Sequence, residues 1–412
     1  MKKIVLSLAL LGLLTACGDK EPKAKKKNIV VTSNSHNGEP SSVALEEIIK
    51  EYNQNNPEVN IEFIPGSSDY EETMKTKMAT NSLPDIFGTH GWSVNRYKEY
   101  LEPLNNREWA KYLSPAIAPV ITDENDKFYI LPLDVDIVGL PYNLDVLEAA
   151  GVNPKEIKTT DDFIAALEKV KQIGVTPIYI GGKDSASVGN IYDWIAPGLI
   201  ILTNDNPQGE NLKNGIFDEK AWNQTGEFIK TLVDNGYINR DALTGNEAAR
   251  ALGTGKAAFL FFGTSMINEG NSYNPNARLD FIALPTKDRD QKSYFITGER
   301  MALGVWKDSP NKKEALEFLD YLAKPENVSK MATANILPTG LTNAKSDLGK
   351  FEDSYNLGDQ YQYVGFFDRE YLPSGAWETL CSIGASIISG QMTVSEASKK
   401  MKEDFDKLKK NK

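Results

Sequence analysis

The sequence predicts an α/β protein with more than one folding unit. Its 412 residues exceed the size of one ordinary domain, and its composition (41% hydrophobic, 25% charged) is that of a globular protein. Short apolar runs alternate with segments of helical periodicity along the first ninety residues. In addition, residues 127–143 (KFYILPLDVDIVGLPYN) have the pattern of a strand that carries the chain from one unit to another.

The first unit is predicted to contain a parallel sheet. Leu45, Ile48, Ile49 and Tyr52 follow the i, i+3, i+4, i+7 spacing of an amphipathic helix. The predicted order is strand 28–33, this helix, strand 59–64, helix 70–81 and strand 84–87. Strands that alternate with helices in this way are typical of βαβ units.

The crossing segment presents two carboxylates. Residues 128–133 are apolar and rich in β-formers, as in a buried strand that ends near its proline. Because residues i and i+2 of a strand share a face, Asp134 and Asp136 are expected to point one way, and Val135 and Ile137 the other. Ligand sites favour interfaces between domains. The alternative is an edge strand with a solvated polar face.

The remainder predicts a second α/β unit. A turn is expected at Gly139–Pro141, then a helix over 144–150. Residues 295–305 are interpreted as an interrupted strand and a possible second crossing. A helix with an apolar stripe over 163–170 is predicted to end at Gly174, and residues 159–162 can cap it. The other predicted elements are strand 175–180, helix 222–235, strands 257–262 and 281–284, helix 315–322, and two C-terminal helices.

The N-terminus resembles a bacterial lipoprotein signal. A basic start precedes an apolar run, residues 4–14, that is too short to span a bilayer, and Leu14-Thr15-Ala16-Cys17 follows. The resemblance implies cleavage after residue 16 and a diacylglyceryl group on Cys17, and two acyl chains anchor stably. Residues 17–28 are lysine-rich and are interpreted as a tether. The alternative is an ordinary secretory signal with a chance cysteine.

Composition and motif spacing argue against several functional classes. The net charge of −11 is unfavourable for nucleic-acid binding. With Cys17 lipidated, only Cys381 remains, so no intrachain disulfide is expected. Zinc-ligand, dinucleotide and P-loop spacings are absent, and neither histidine has a nucleophile motif around it. Asp134 and Asp136 lie side by side on one strand and would not flank a scissile glycosidic bond. We therefore predict no catalysis, no cofactor and no metal.

Five motifs, in order, carry a family resemblance over nearly the whole chain after the signal. They are SLPDIF (82–87), YILP to YN (129–143), KTTDDF (158–163), GKAAF (255–259) and the helical residues 311–322. With these motifs the chain resembles the extracellular solute-binding proteins of ABC importers, in the branch that includes maltose-binding protein.

The resemblance implies a two-lobed fold of the type II periplasmic-binding-protein class, with a ligand cleft and hinge between the lobes. It implies one lobe from residues 29–136 plus 298–342 and another from 137–297 plus 343–410. Residues 134–138 and 295–301 would form the hinge, and closure would be a hinge rotation around the ligand.

The resemblance also implies a set of ligand-binding residues. Sugars present hydroxyl groups and flat apolar faces, which carboxylates, amides and aromatic rings recognise. After Gly263, where many relatives carry a stacking tryptophan, this chain has Thr264 and Ser265. The candidates are His36, Asn37, His90, Trp92, Asp134, Asp136, Trp194, Glu299, Arg300 and Trp377.

Each candidate has a structural alternative. His36 and Asn37 are also ordinary turn residues, and Asp134 and Asp136 ordinary hinge acids. A tryptophan such as Trp194 is more often part of the core. Glu299 and Arg300 have the further alternative of pairing with each other or with Asp136.

The predicted function is a lipid-anchored receptor on the extracellular face of a bacterial membrane. It is expected to be a monomer that binds a carbohydrate, in particular an oligosaccharide, and delivers it to the transmembrane subunits of an ABC permease. Two alternatives remain open. One is a receptor for a non-sugar solute such as a peptide or polyamine, and the other is a surface adhesin that binds a glycan without delivering it.

Overall fold

The computed structural model describes residues 26–410, except 68, 184, 240–243, 356–357 and 359. The predicted signal, Cys17 and most of the tether lie outside the described residues. Residue 27 already pairs in a strand, so the predicted tether ends earlier than residue 28.

Across the described residues, every helix is too short or too polar to traverse a lipid bilayer.

The described part of the chain alternates strands and helices. The strands are β1 Lys27–His36, β2 Val59–Gly66, β3 Ile86–Gly88, β4 Leu131–Pro132, β5 Val135–Val138, β6 Leu140–Asn143, β7 Thr176–Tyr179, β8 Ala257–Leu260, β9 Leu279–Ile282, β10 Tyr294–Glu299, β11 Ala302–Val305 and β12 Gln362–Gly365. The helices are α1 Pro40–Asn55, α2 Tyr70–Ala79, α3 Ala118–Ile121, α4 Leu144–Ala149, α5 Thr160–Gln172, α6 Ser185–Ala196, α7 Gly209–Lys213, α8 Glu219–Asp234, α9 Gly245–Gly253, α10 Ser265–Tyr273, α11 Lys312–Leu322, α12 Pro325–Asn335, α13 Glu352–Tyr355, α14 Phe367–Glu370, α15 Ala376–Ile388 and α16 Val394–Lys410.

The first sheet has the order β2-β1-β3-β11-β4. β1 is parallel to β2 and β3, as the strand–helix alternation predicts, whereas β11 returns antiparallel between β3 and β4. Asp85 of the SLPDIF motif is buried and accepts a hydrogen bond from the backbone nitrogen of Val30 at 2.8 Å. Asp85 also accepts from Asn311, so this motif ties β1 to the start of α11.

The second sheet has the order β7-β8-β6-β9. Thr159 caps α5 in a capping box with Asp162, as predicted. The ring of Phe163 on α5 packs edge-on against Phe259 of β8, with centroids 5.2 Å apart. The predicted amphipathic stripe of α5 is therefore the face that covers this sheet.

A small third sheet, β12-β10-β5, joins the other two, and we call it the hinge sheet. β5 runs on into β6 of the second sheet, and β10 runs on into β11 of the first. β10 pairs antiparallel with β5 and parallel with β12. Both predicted crossing segments therefore lie side by side, and the fold has the two-lobed α/β form expected from the sequence.

Two local predictions in the crossing segment are wrong. Only Leu131–Pro132 of residues 128–133 form a strand, although the whole run is buried. The turn predicted at Gly139–Pro141 is instead the start of β6, with Pro141 opposite Phe281 of β9. β8 pairs with β6 at Tyr142 alone, so the missing N–H of Pro141 costs no ladder hydrogen bond there.

Candidate functional site

Both histidines of the chain lie at the same edge of the first sheet. His36 ends β1, and His90 follows β3 in a loop whose next residue is Gly91. Residues 90 and 91 have positive φ angles of 48° and 84°. Carboxyl ends of parallel strands meet at one edge of a sheet, and there His36, His90 and Arg300 line a pocket of about 210 Å³. Asn37 is exposed in the turn beside His36.

Asp136 is a partly exposed carboxylate on the hinge sheet. Among the described residues its side chain forms no hydrogen bond and no ion pair. Burial raises the pKa of Asp136. The nearby side chains of Arg300, Arg369 and His90 oppose this rise in pKa. Asp136 thus has cationic neighbours but no hydrogen-bond donor among the described residues. Its carboxylate is therefore free to accept hydrogen bonds from a bound ligand.

Asp134, in contrast, has both carboxylate oxygens bonded by protein donors. Its side chain is fully buried, and it accepts hydrogen bonds from the backbone nitrogen of Met301 at 2.7 Å and from Asn335 Nδ2 at 2.6 Å. Burial raises its pKa to about 6. In this conformation Asp134 connects the start of β5 to α12 and to the segment between β10 and β11. This is the structural role that the sequence analysis gave as the alternative to a ligand contact.

Glu299 holds the loop that carries His90. The carboxylate is buried and accepts hydrogen bonds from the hydroxyls of Thr89 and Ser93. It also accepts from the backbone nitrogens of Gly91 at 3.1 Å and Ser93 at 3.3 Å. These contacts fix a loop whose backbone is in the left-handed region at two successive residues.

The alternative pairing of Glu299 and Arg300, with each other or with Asp136, does not occur among the described residues. Glu299 faces the loop after β3, and successive residues of an extended chain point to opposite sides. Arg300 is exposed, and its guanidinium forms no ion pair within the described part of the chain. Arg300 is therefore available to a ligand in the pocket beside His36.

Trp92 lies behind the loop and is mostly covered. Its side chain is 8% exposed, and the Arg96 guanidinium lies 4.0 Å from its ring centroid. Glu71 accepts a hydrogen bond from Arg96 and is 2.9 Å from Nδ1 of His90. Trp92 lines a different cavity of about 530 Å³ that also includes Pro119. One face of the Trp92 ring is thus covered by Arg96, and the role of Trp92 in ligand binding stays a prediction.

The two candidate tryptophans on α6 and α15 differ in exposure. Trp194 on α6 is 2% exposed and packs against Phe261, with centroids 6.1 Å apart, so its position is that of a core residue. Trp377, at the start of α15, is partly exposed. Its ring lies against Gly189, where a Cβ atom would be only 3.0 Å away. The stacking role of Trp377 stays a prediction.

Three residues near the hinge carboxylates were not among the sequence candidates. Tyr355 packs its ring against Phe281 at 5.0 Å and brings its hydroxyl to 3.5 Å from Thr264 Oγ1. An aromatic ring therefore lies beside the position where the sequence lacks one. Phe366 and Arg369 lie close to Gly298 on the hinge sheet. The sequence signal that could have pointed to them is an aromatic-rich stretch, which contains Tyr361, Tyr363, Phe366, Phe367 and Tyr371.

A pair of buried carboxyl groups lies beneath Arg369. The backbone nitrogen of Asp368 on α14 donates to Asp193 Oδ1 at 2.7 Å, and both acids are nearly inaccessible. Burial raises the pKa of both groups, and the charge of Asp368 raises that of Asp193 further. The contact holds α14 against α6 and so positions the backbone of Arg369, which is on α14.

Comparison with known proteins places this geometry in a family context. The sequence model for bacterial extracellular solute-binding proteins matches residues 37–329. The melibiose/raffinose/stachyose-binding protein MelE of Bacillus subtilis is 30% identical over 98% of this chain and 96% of its own length.

Two solved structures are similar over most of the fold. The binding protein MsmE of Bacillus subtilis, in an open conformation, superposes with a TM-score of 0.89 at 29% identity, covering 95% of this chain and 99% of that one. A sugar transporter protein of Bacillus licheniformis, in complex with stachyose, gives a TM-score of 0.79 at 30% identity, covering 92% and 100%.

Proposed function

The chain belongs to the family of bacterial extracellular solute-binding proteins, and we propose from that premise that it is the carbohydrate receptor of an ABC importer. Family membership makes it a binding protein and not an enzyme, as the sequence predicted. The relatives described as binding melibiose, raffinose and stachyose make these sugars the first ligands to test.

The observation that carries the proposal is Asp136. It is a carboxylate at the hinge that lacks a protein hydrogen-bond donor among the described residues. A sugar hydroxyl pair supplies such donors, and hydrogen bonds to charged groups contribute about 1.5–3 kcal/mol each. Arg300 and His90 nearby offer donors to the hydroxyl oxygens. A polyamine would be attracted by the charge of Asp136 but repelled by that of Arg300. This balance favours a sugar as the ligand.

Binding is proposed to close the two lobes around the hinge sheet. The lobes are those divided near residues 136 and 298, with the C-terminal segment from 343 onward in the second lobe. A ligand favours the closed form only if it contacts both lobes.

The proposed location is the extracellular face of the membrane, through a lipid on Cys17. A monomer tethered there would hand its ligand to the permease subunits. An adhesin would have the same anchor and the same cleft, but it would not deliver the bound sugar to a permease. Uptake of the bound sugar by cells that lack this gene distinguishes the two. If the protein is the receptor, these cells lose uptake, and if it is an adhesin, their uptake is unchanged.

Thermal unfolding of the purified protein against a ligand panel tests the proposal. A sugar at about 100 times its Kd should add roughly 2.7 kcal/mol to the free energy of unfolding. The stabilisation should disappear in Asp136→Ala. Stabilisation by a peptide or polyamine, with none by melibiose, raffinose, stachyose or other oligosaccharides, would contradict the carbohydrate proposal.

A further inference from the structure

We propose that Arg369 contacts the bound solute and supplies hydrogen-bond donors beside the carboxylate of Asp136. The inference rests on the proposed function, because it assigns a further residue to the same sugar site. It adds a group from the C-terminal segment to a site otherwise formed by the loops after β1 and β3 and by the hinge sheet.

The position of Arg369 follows from a stack on the hinge sheet. Asp136 pairs with Gly298, so the two residues share a face of the sheet. The ring of Phe366 lies over Gly298, where a Cβ atom would be 2.7 Å from its carbons. The Arg369 guanidinium lies 4.3 Å from the centroid of that ring. Gly298, Phe366 and Arg369 thus form successive layers on the side that carries Asp136.

Arg369 also touches the loop of the first lobe. A Cβ atom at residue 91 would overlap its guanidinium, so Gly91 is the residue that admits it. Asn95 Nδ2 donates to the backbone carbonyl of Arg369 at 2.7 Å. The guanidinium therefore lies where the hinge sheet, the C-terminal segment and the loop carrying His90 converge.

The donors of Arg369 are largely unused. Its single ion pair among the described residues is to Asp368, with Nε 3.9 Å from Oδ1. That carboxyl group is itself buried and interacts with the side chain of Asp193. Within the described part of the chain, no acceptor forms a hydrogen bond with the guanidinium, although its side chain is only 19% exposed. A guanidinium carries five N–H donors, and those of Arg369 are not among the fully buried unpaired atoms of the described residues, so a solute can reach them.

The arrangement matches the chemistry of a sugar. Asp136 accepts hydrogen bonds and lies within electrostatic range of two cations, Arg300 and Arg369. A hydroxyl group both donates and accepts, so one hydroxyl can donate to Asp136 while its oxygen accepts from an arginine. A solute with adjacent hydroxyls therefore satisfies all three side chains, whereas an isolated cation or an apolar solute does not.

The test is calorimetric titration of Arg369→Met, Arg369→Lys and the control Arg278→Met with the sugar that binds the wild-type protein most tightly. Arg278 is an exposed arginine that pairs with Asp145 and Glu148. We expect Arg369→Met to weaken binding about 10- to 100-fold. Arg369→Lys should recover part of that loss, because lysine keeps the charge but not the planar fork. Arg278→Met should stay within twofold of wild type.

Monodeoxy derivatives of the same sugar separate a direct contact from a positioning role. If Arg369 contacts a hydroxyl, removal of that hydroxyl weakens binding to the wild-type protein but has little further effect in Arg369→Met. Equal losses in both proteins for every derivative would overturn the contact, as would unchanged affinity of Arg369→Met. A wild-type protein that binds no sugar would instead overturn the proposed function and this inference together.

Discussion

Asp136 and Gly298 are direct partners in the antiparallel pairing of β5 with β10. Because Gly298 has no side chain, the space beside the carboxylate is left to the ring of Phe366. A larger residue at 298 would meet that ring. The hinge sheet thus combines a backbone that joins the lobes with a face on which Asp136 has no hydrogen-bond partner among the described residues.

Asp136→Asn is expected to weaken sugar binding about 10- to 100-fold, because the charged acceptor is lost. The melting temperature of the ligand-free protein should not fall, since burial raises the pKa of this carboxyl group and so disfavours its charged form. Titration calorimetry and thermal unfolding measure the two effects. An Asn variant that binds as tightly as wild type would remove Asp136 from the site.

Asp134→Asn should alter the pH dependence of stability. The pKa of Asp134 rises from 3.8 to about 6 on folding, so its stabilising effect is present below pH 4 and is lost as the pH rises through 6. The shift corresponds to about 3 kcal/mol of unfolding free energy. In urea denaturation between pH 3.5 and 7.5, the free energy of unfolding of the variant relative to wild type should rise by about this amount as the pH rises.

The matched control for this measurement is Asp308→Asn, which removes an exposed carboxylate of the same lobe. A stability difference between wild type and Asp134→Asn that does not change with pH would contradict the prediction. It would mean that the hydrogen bonds from Met301 and Asn335 fully offset the burial of the charge.

Glu299→Ala should destabilise the protein and weaken sugar binding together. The substitution leaves the buried donors of Thr89, Gly91 and Ser93 without an acceptor, at a cost of about 2 kcal/mol or more. It also releases the loop that positions His90. Denaturant unfolding and calorimetry measure the two losses. The control is Glu72→Ala, which removes an exposed acid of α2 and should change neither stability nor affinity. Unchanged stability and affinity in Glu299→Ala would show that the loop keeps its conformation without the contacts of Glu299.

The two candidate tryptophans Trp194 and Trp377 should respond differently to truncation. Trp194→Ala is expected to cost about 3–5 kcal/mol of stability, because it empties a buried site. Trp377→Ala should cost less stability but weaken sugar binding, as expected for a partly exposed ring that stacks on a sugar. Loss of affinity in Trp194→Ala at unchanged stability would reverse these assignments.

Cys17→Ser should release the protein from the membrane, because no acyl chain can be attached to serine at this position. Cell fractionation followed by immunodetection measures the distribution between membrane and medium. Sugar affinity of the released protein should equal that of wild type. Retention of Cys17→Ser in the membrane fraction would favour an anchor other than a lipid on this cysteine.

The sequence by itself determined the fold class and most of the elements, and it named the acid that we propose as the centre of the site. The helix and strand periods are local, so the capped helix at Thr159 and the parallel strands β1 to β3 were predictable. The acid–apolar alternation of residues 134–138 likewise pointed to Asp136, whose carboxylate has no hydrogen-bond donor in the part of the chain that the structure describes.

Only the tertiary structure decided which predicted polar groups are already occupied. Asp134 and Asp136 are alike in sequence, yet one meets Met301 and Asn335 while the other meets no donor among the described residues. The Arg369 guanidinium lies against Gly91, and the Phe366 ring on which it packs lies over Gly298, because these two glycines, distant in sequence, lack a side chain. Such partners come from residues far along the chain, and local periodicity carries no information about contacts that form only when the lobes and hinge sheet assemble.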